Sequence, residues 1–186
     1  MLGFRTFFEA CHRNKRGCAY WGDSGSGILP LCSATGNFAA SHRGQGVNEG
    51  GEFGLFGGGI LLDEFGLENP EDLFHTDIPK RHAKHELRQE TGYDKQIKLI
   101  EVYLYHDDKM GPKGLPCDFY YWNYVGIVPE EFKIRPEKRS AWEEGGQSGW
   151  MTFQELMAIQ PKHFGLQSLL QNAGHKIQQL AVQYSY

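Results

Sequence analysis

The stretch 79–92, PKRHAKHELRQETG, is marked as a helix at both ends. Pro79 suits a first turn, where a missing N–H leaves nothing unpaired, and Thr76 or Asp77 stands before it as a cap. Gly92 suits the left-handed residue that terminates a helix. This helix has strands on both sides. Downstream, 97–106 (IKLIEVYLYH) and 117–128 (CDFYYWNYVGIV) are rich in β-branched and aromatic residues. Upstream, 25–44 (GSGILPLCSATGNFAASHRG) reads as two strands about the turn SATGN. A turn-rich piece, 65–78, holds a short helical stretch at PEDLF, and 149–157 (GWMTFQELM) reads as a last strand running into a helix. The final segment carries a helical apolar stripe through Phe164, Leu166, Leu169, Leu170, Ile177 and Leu180, with a break or kink expected near Gly174. Strands and helices in this mixed order predict an α+β fold built as an α/β/α sandwich.

A chain of 186 residues is most simply one domain, 1–186, able to bury a core without staples. Apolar and charged fractions of 40% and 23% are those of a soluble globular protein. The net charge of −4 argues against a polyanion-binding surface as the main function. It still permits phosphorylated substrates where a divalent cation supplies positive charge. No apolar run approaches the roughly 20 residues that span a bilayer, so no membrane role is expected. The N-terminal extension, 1–24, places Phe4, Phe7, Phe8 and Cys11 at roughly helical spacing, with its charges after the apolar part. It reads as an amphipathic helix docked on the domain rather than a signal peptide. Cys11, Cys18, Cys32 and Cys117 lack paired short spacings, and with His12 the first two make only half a zinc site. Unligated thiols in a reducing cytoplasm are expected.

Chemistry concentrates on the central helix. Glu86 and Glu90 stand at i and i+4, so their carboxylates share a face within reach of one ion, and Gln89 lies close to it. Hard cations such as Mg²⁺ take oxygen ligands and bind substrate phosphates. The competing reading is a solvated face on which Lys84 and Arg88 form surface charge pairs. His82 and His85 lack a third strong ligand and the H-E-x-x-H spacing, so they read as solvated helix histidines, or as one histidine near a phosphate. Before the helix, GQGVNEGGEFG leads into LFGGGILLDE, a glycine-rich segment that is either a flexible turn or a loop whose backbone touches a metal or phosphate. Arg43, with His42, is a candidate phosphate contact by its fork geometry, with surface salt bridging as the alternative. The FYYWNY run offers rings to stack a nucleobase, but an alternating strand turns about half of it into the core, so core packing is the default, and KIRPEKR (133–139) is a solvated basic loop.

Glycines and acids together resemble the Nudix hydrolase signature, G-x5-E-x7-R-E-U-x-E-E-x-G-U with U aliphatic or aromatic. Gly58 and Glu64 match its start, Glu86-Leu87 its E-U, Glu90 its last glutamate, and Gly92-Tyr93 its end. The likeness extends over about 25–172, where SGILPLC, GVNE, FGGGI and KHFGLQSLL are most similar to small Nudix proteins of the bacteriophage kind. The resemblance implies a Nudix-like α/β/α sandwich with a mixed sheet. It also implies Mg²⁺-dependent, or Mn²⁺-dependent, hydrolysis of a diphosphate bond in a nucleoside diphosphate linked to another group. The implied partner is a small-molecule nucleotide, with a capped RNA end as the one nucleic-acid exception. Implied metal ligands are Glu86 and Glu90, with Gln89 and a carbonyl near Gly58 contributing less; Gly58, Gly59 and Arg43 would meet substrate. Glu64 would brace the loop. Glu144, six before Trp150 in AWEEGGQSGW, matches where some relatives carry a general base, against the reading of an acidic turn; Glu143 and Glu90 are alternatives.

Three departures stand out. Twenty residues separate Glu64 from His85 where the signature has seven, so an insertion of about thirteen, near 65–78, precedes the helix. His85 replaces the arginine that orients the neighbouring glutamate, and Gln89 replaces a metal-binding glutamate. Loss of that charge predicts weaker metal binding or one fewer ion. The alternative is a non-catalytic Nudix-like module that binds nucleotide or another protein.

Overall fold

A computed structural model describes residues 23–43, 51–107, 118–134 and 149–185. Expectations resting on residues 1–22, on Cys11, Cys18 and Cys117, on Glu143 and Glu144, and on most of the 133–139 loop lie outside the described residues. In chain order the strands are β1 (Ser24–Cys32), β2 (Phe38–His42), β3 (Phe53–Gly54), β4 (Phe56–Ile60), β5 (Lys98–Asp107), β6 (Phe119–Val128) and β7 (Gly149–Met151). The helices are α1 (Ile78–Thr91), α2 (Phe153–Ala158) and α3 (Phe164–Tyr184).

β1 is the pivot of a mixed seven-stranded sheet of order β3-β2-β1-β6-β5. It pairs antiparallel with β2 and β4 and parallel with β6, while β5 runs antiparallel to β6. A parallel neighbour demands a crossover, and the chain between β4 and β5 supplies it through α1. Every residue of β1 is buried, because both faces of the sheet are covered. Ile28 and Cys32 join one core with Phe56, Leu73, Leu87, Trp122 and Tyr124 on the α1 side. Leu29 and Leu31 join the other, with Phe38, Val125, Leu166, Leu169 and Ile177 on the α3 side. The result is the expected α/β/α sandwich.

α1 ends as its sequence predicts: Gly92 adopts φ 74° and its N–H donates to the Arg88 carbonyl at 2.8 Å. Asp77 occupies the N-cap position without a side-chain cap bond, and pairs instead with exposed Arg81 at 3.2 Å. The inward face carries two stripes of period four. Pro79, Ala83 and Leu87 form an apolar one; His82, Glu86 and Glu90 form a polar one beside it.

Two expectations change. α3 runs unbroken through Gly174, which is buried in its middle. A helical glycine costs about 1 kcal/mol against alanine, whereas each buried leucine or isoleucine of the stripe is worth about 1.5–3 kcal/mol. The triple glycine is no turn either: Gly57, Gly58 and Gly59 lie in β4 with extended partners Gly27, Ser26 and Gly25 on β1. The 65–78 stretch forms a 3-10 turn, Pro70–His75, that sends Leu73 into the core and lays Phe74 edge-on against Tyr120 and Trp122. Cys32, the one described cysteine, is a buried free thiol. No described helix is long and apolar enough to cross a membrane.

Candidate functional site

Glu86 and Glu90 are each only 8% exposed, so they are not the solvated charge face that the sequence also allowed. The period-four stripe turns both toward β4. The Gly57 N–H donates to Glu90 Oε1 at 3.3 Å. A Cβ on Gly58 would sit 2.9 Å from Glu86 Oε2, which is closer than side chains tolerate. The glycines therefore serve by the volume they leave open. None of the three has positive φ.

Strand geometry also says which glycine offers its backbone. Along a strand the N–H and C=O of one residue point to the same edge, and the next residue's point to the other. Since the Gly57 N–H faces Glu90, its carbonyl faces α1 too, whereas the polar groups of Gly58 face the β1 ladder. Gly57, next to the Gly58 expected to supply a backbone ligand, is thus the residue of this strand whose polar groups face the helix. Gly58 contributes space, and Gly59 accepts a hydrogen bond from His82.

His82 corrects the solvated-histidine reading. It is 2% exposed, with Nδ1 2.8 Å from Ser26 Oγ and Nε2 3.5 Å from Glu86 Oε1. Burial holds its pKa down to about 3, His85 lowers it further, and the Gly59 backbone opposes both. The ring is neutral at pH 7. A proton on Nε2 then faces Glu86 and Gly59, while Nδ1 accepts from the Ser26 hydroxyl; this tautomer is assigned from the hydrogen-bond pattern. His85, at the signature's arginine position, bonds Gln89 instead. The histidine that faces Glu86 is thus His82, one turn earlier along the helix than the signature position. The i, i+4 spacing of His82 and Glu86 was the available signal for it.

Arg43 follows β2 on the other side of the glycines, its Cδ 3.8 Å from where a Gly54 Cβ would lie. It is near enough to help depress His163, whose pKa burial brings down to about 3. Arg43, Glu90 and Glu86 all act on one phenol, Tyr121. Burial pushes its pKa up first, Glu90 and Glu86 push the same way, and Arg43 opposes. Three of the expected site residues thus act on a tyrosine of the run that the sequence assigned by default to core packing. Gln89 is partly buried on the same helix. Glu64 lies in the 3-10 turn Leu62–Phe65 directly after β4, and Glu144 lies outside the described residues.

The donor chemistry suits a hard cation. Among the described residues no trio of His, Cys, Asp or Glu is arranged to hold a metal. What the structure brings together is two buried carboxylates and a strand edge whose Gly57 N–H donates to one of them, with the Gln89 amide on the same helix. Such a partial oxygen shell fits Mg²⁺ or Mn²⁺, which keep waters and take substrate phosphate oxygens, better than Zn²⁺.

Solved structures match this architecture across most of the chain. A Nudix hydrolase from M. smegmatis, RenU, superposes with TM-score 0.58 at 14% identity, covering 88% of each chain. The NUDIX domain of Shewanella oneidensis NrtR, solved with ADP ribose, gives 0.55 at 12% identity over 83% of this chain and 87% of that one. The E. coli dihydroneopterin triphosphate pyrophosphohydrolase gives 0.54 at 12% identity, over 83% and 97%. No family profile and no curated protein matches the sequence. The chain has the Nudix fold.

Proposed function

We propose that this protein is a divalent-metal-dependent pyrophosphohydrolase that cleaves a diphosphate bond in a nucleoside diphosphate linked to another group. The observation that carries the reading is the burial of Glu86 and Glu90 side by side against glycines that leave them room. A buried carboxylate is costly unless matched by charge or hydrogen bonds, so two on one edge favour a cation between them. Glu86, Glu90, Gln89 and the Gly57 carbonyl would hold it. Bound there, Mg²⁺ or Mn²⁺ supplies charge that offsets the diphosphate and its leaving group.

The chain's own groups do the rest. Arg43 binds a phosphate oxygen, and His82 keeps Glu86 in place. Water attacks one phosphorus, the bond from that phosphorus to the bridging oxygen breaks, and the bridging oxygen leaves with the other phosphate. The water's proton passes to a carboxylate, Glu90 or, by its spacing before Trp150, Glu144. We place this activity in the cytoplasm, acting on a small-molecule nucleotide.

The test is a Mg²⁺ and Mn²⁺ hydrolysis screen over ADP-ribose, dinucleoside polyphosphates, nucleoside triphosphates, nucleotide sugars and capped RNA, with products identified. Glu90→Gln should abolish turnover and leave the fold intact; full turnover by that variant with metal chelated would overturn the reading. Gln89 in place of a third acid favours a second reading, a Nudix-fold module that binds nucleotide without cutting it. Calorimetric binding with no turnover at any divalent metal would select it.

A further inference from the structure

The sheet carries a glycine-lined track that the diphosphate reading does not use. Gly25 and Gly27 on β1 and Gly57 on β4 share the α3-side face; Tyr121 of β6 takes the space of a Cβ on the first two, and at Gly57 its hydroxyl borders that space together with the Ser26 and Gly27 backbone. A Cβ on Gly25 would lie 2.5 Å from Tyr121 Cδ2 and 2.7 Å from Cε2. One on Gly27 would lie 2.5 Å from the hydroxyl oxygen, and one on Gly57 2.6 Å from it. A side chain at Gly25 or Gly27 would push the ring away, and one at Gly57 would also strike the β1 backbone at Ser26 and Gly27. The phenol therefore lies flat across β1 instead of standing up from β6, and its tip reaches the β4 edge at Gly57. That is the residue whose N–H holds Glu90.

The placement carries the polar tip of the ring out of the α3-side core to the edge of β4. Tyr121 is partly buried, and its hydroxyl stands against the backbone at Gly57. Its tip stands at Gly57, whose N–H donates to Glu90 Oε1 at 3.3 Å, and the charges that act on it are those of Glu90, Arg43 and Glu86. A phenol keeps its proton at neutral pH, so it donates or accepts a hydrogen bond and does not act as a nucleophile. A neutral donor between a carboxylate pair and a guanidinium matches a negatively charged oxygen that bridges the two.

We propose that Tyr121 is a substrate-contacting residue whose hydroxyl donates to an oxygen of the bound diphosphate, between the Glu86–Glu90 pair and Arg43. The proposal rests on the hydrolase reading and adds a third kind of contact to its site. It also gives Gly25 and Gly27 a role: they are the floor on which the tyrosine lies.

The experiment compares wild type with Tyr121→Phe, which keeps the ring and loses only the hydroxyl. Three quantities are read: Mn²⁺ affinity by electron paramagnetic resonance, calorimetric affinity with Mg²⁺ for an ADP analogue whose bridging oxygen is a methylene, and kcat and KM on the compound that wild type hydrolyses. The expected result is Mn²⁺ affinity within twofold of wild type, with analogue affinity or kcat/KM lowered tenfold or more. Gly27→Ala, which moves the hydroxyl without removing it, should reproduce the loss and add nothing to it in the Tyr121→Phe background. Unchanged analogue binding and kinetics in Tyr121→Phe overturn the assignment, as does a parallel loss of Mn²⁺ affinity, which would put the hydroxyl on the carboxylates. Failure of wild type to bind the analogue or cut any compound overturns the hydrolase reading itself, and is distinguished by needing no variant.

Discussion

Gly58 and Glu86 occupy one volume between them: a Cβ on the glycine would come within 2.9 Å of Oε2 and 3.0 Å of Cδ of the glutamate. The strand is bare at this point because the helix carboxylate fills the space. Gly58→Ala should therefore displace the carboxylate, the movable partner, and leave the backbone in place. The expected outcome is a folded protein whose Mn²⁺ affinity falls about tenfold, or about 1.4 kcal/mol. Mn²⁺ titration beside a thermal melt checks it.

Ser26→Ala tests the support behind Glu86. The substitution leaves His82 Nδ1 buried without the Ser26 hydroxyl at 2.8 Å. An unsatisfied buried group of this kind costs about 1–3 kcal/mol, visible as a lower urea midpoint at unchanged slope. Metal affinity should fall as well, since His82 faces Glu86 at 3.5 Å. A variant as stable as wild type would show that the hydroxyl does not hold the ring.

Gln89→Glu returns an acid to the helix beside Glu90. Metal affinity follows ligand charge, and one more carboxylate should tighten Mn²⁺ binding about tenfold. Hydrolysis should rise with it at limiting metal and converge with wild type at saturation. The fold should be indifferent, because Gln89 is only partly buried.

Stability should fall with acid. His82 and His163 are held near pKa about 3, chiefly by burial, against the ordinary 6.5. Below 6.5 the unfolded chain takes up protons that the folded chain refuses until about pH 3, so the unfolded state binds more protons throughout that window. Unfolding free energy then drops as pH falls through it, by up to about 1.4 kcal/mol per pH unit for each histidine. Urea midpoints at pH 7.5, 6.0 and 5.0 should decline in step, and His163→Asn should flatten the decline. Equal midpoints at pH 7.5 and 5.0 would show that neither ring is buried neutral.

Local rules carried the elements well. Pro79 and Gly92 bracketed α1 because caps act within one turn, and the β-branched and aromatic runs located β5 and β6 because their preference for a pleated surface is local. The i, i+4 spacing of Glu86 and Glu90 put both carboxylates on one face whatever lay opposite. What lay opposite was decided by strand pairing. The glycines at 57–59 read as a turn or a ligand-touching loop along the chain, and became an extended edge only through the β1 ladder, whose alternation turns the polar groups of Gly57 toward α1 and leaves open volume at Gly58. His82 read as solvated until the polar stripe of α1 met Ser26, a residue on another element. Tyr121 read by default as core, with base stacking as the alternative, and only the pairing of β6, β1 and β4 places Gly25 and Gly27 beneath its ring and Gly57 at its tip. Sequence alone determined which residues share a helix face or a strand, because backbone geometry sets that within a few residues. Only the tertiary structure decided what each face meets, because that contact joins residues dozens of positions apart.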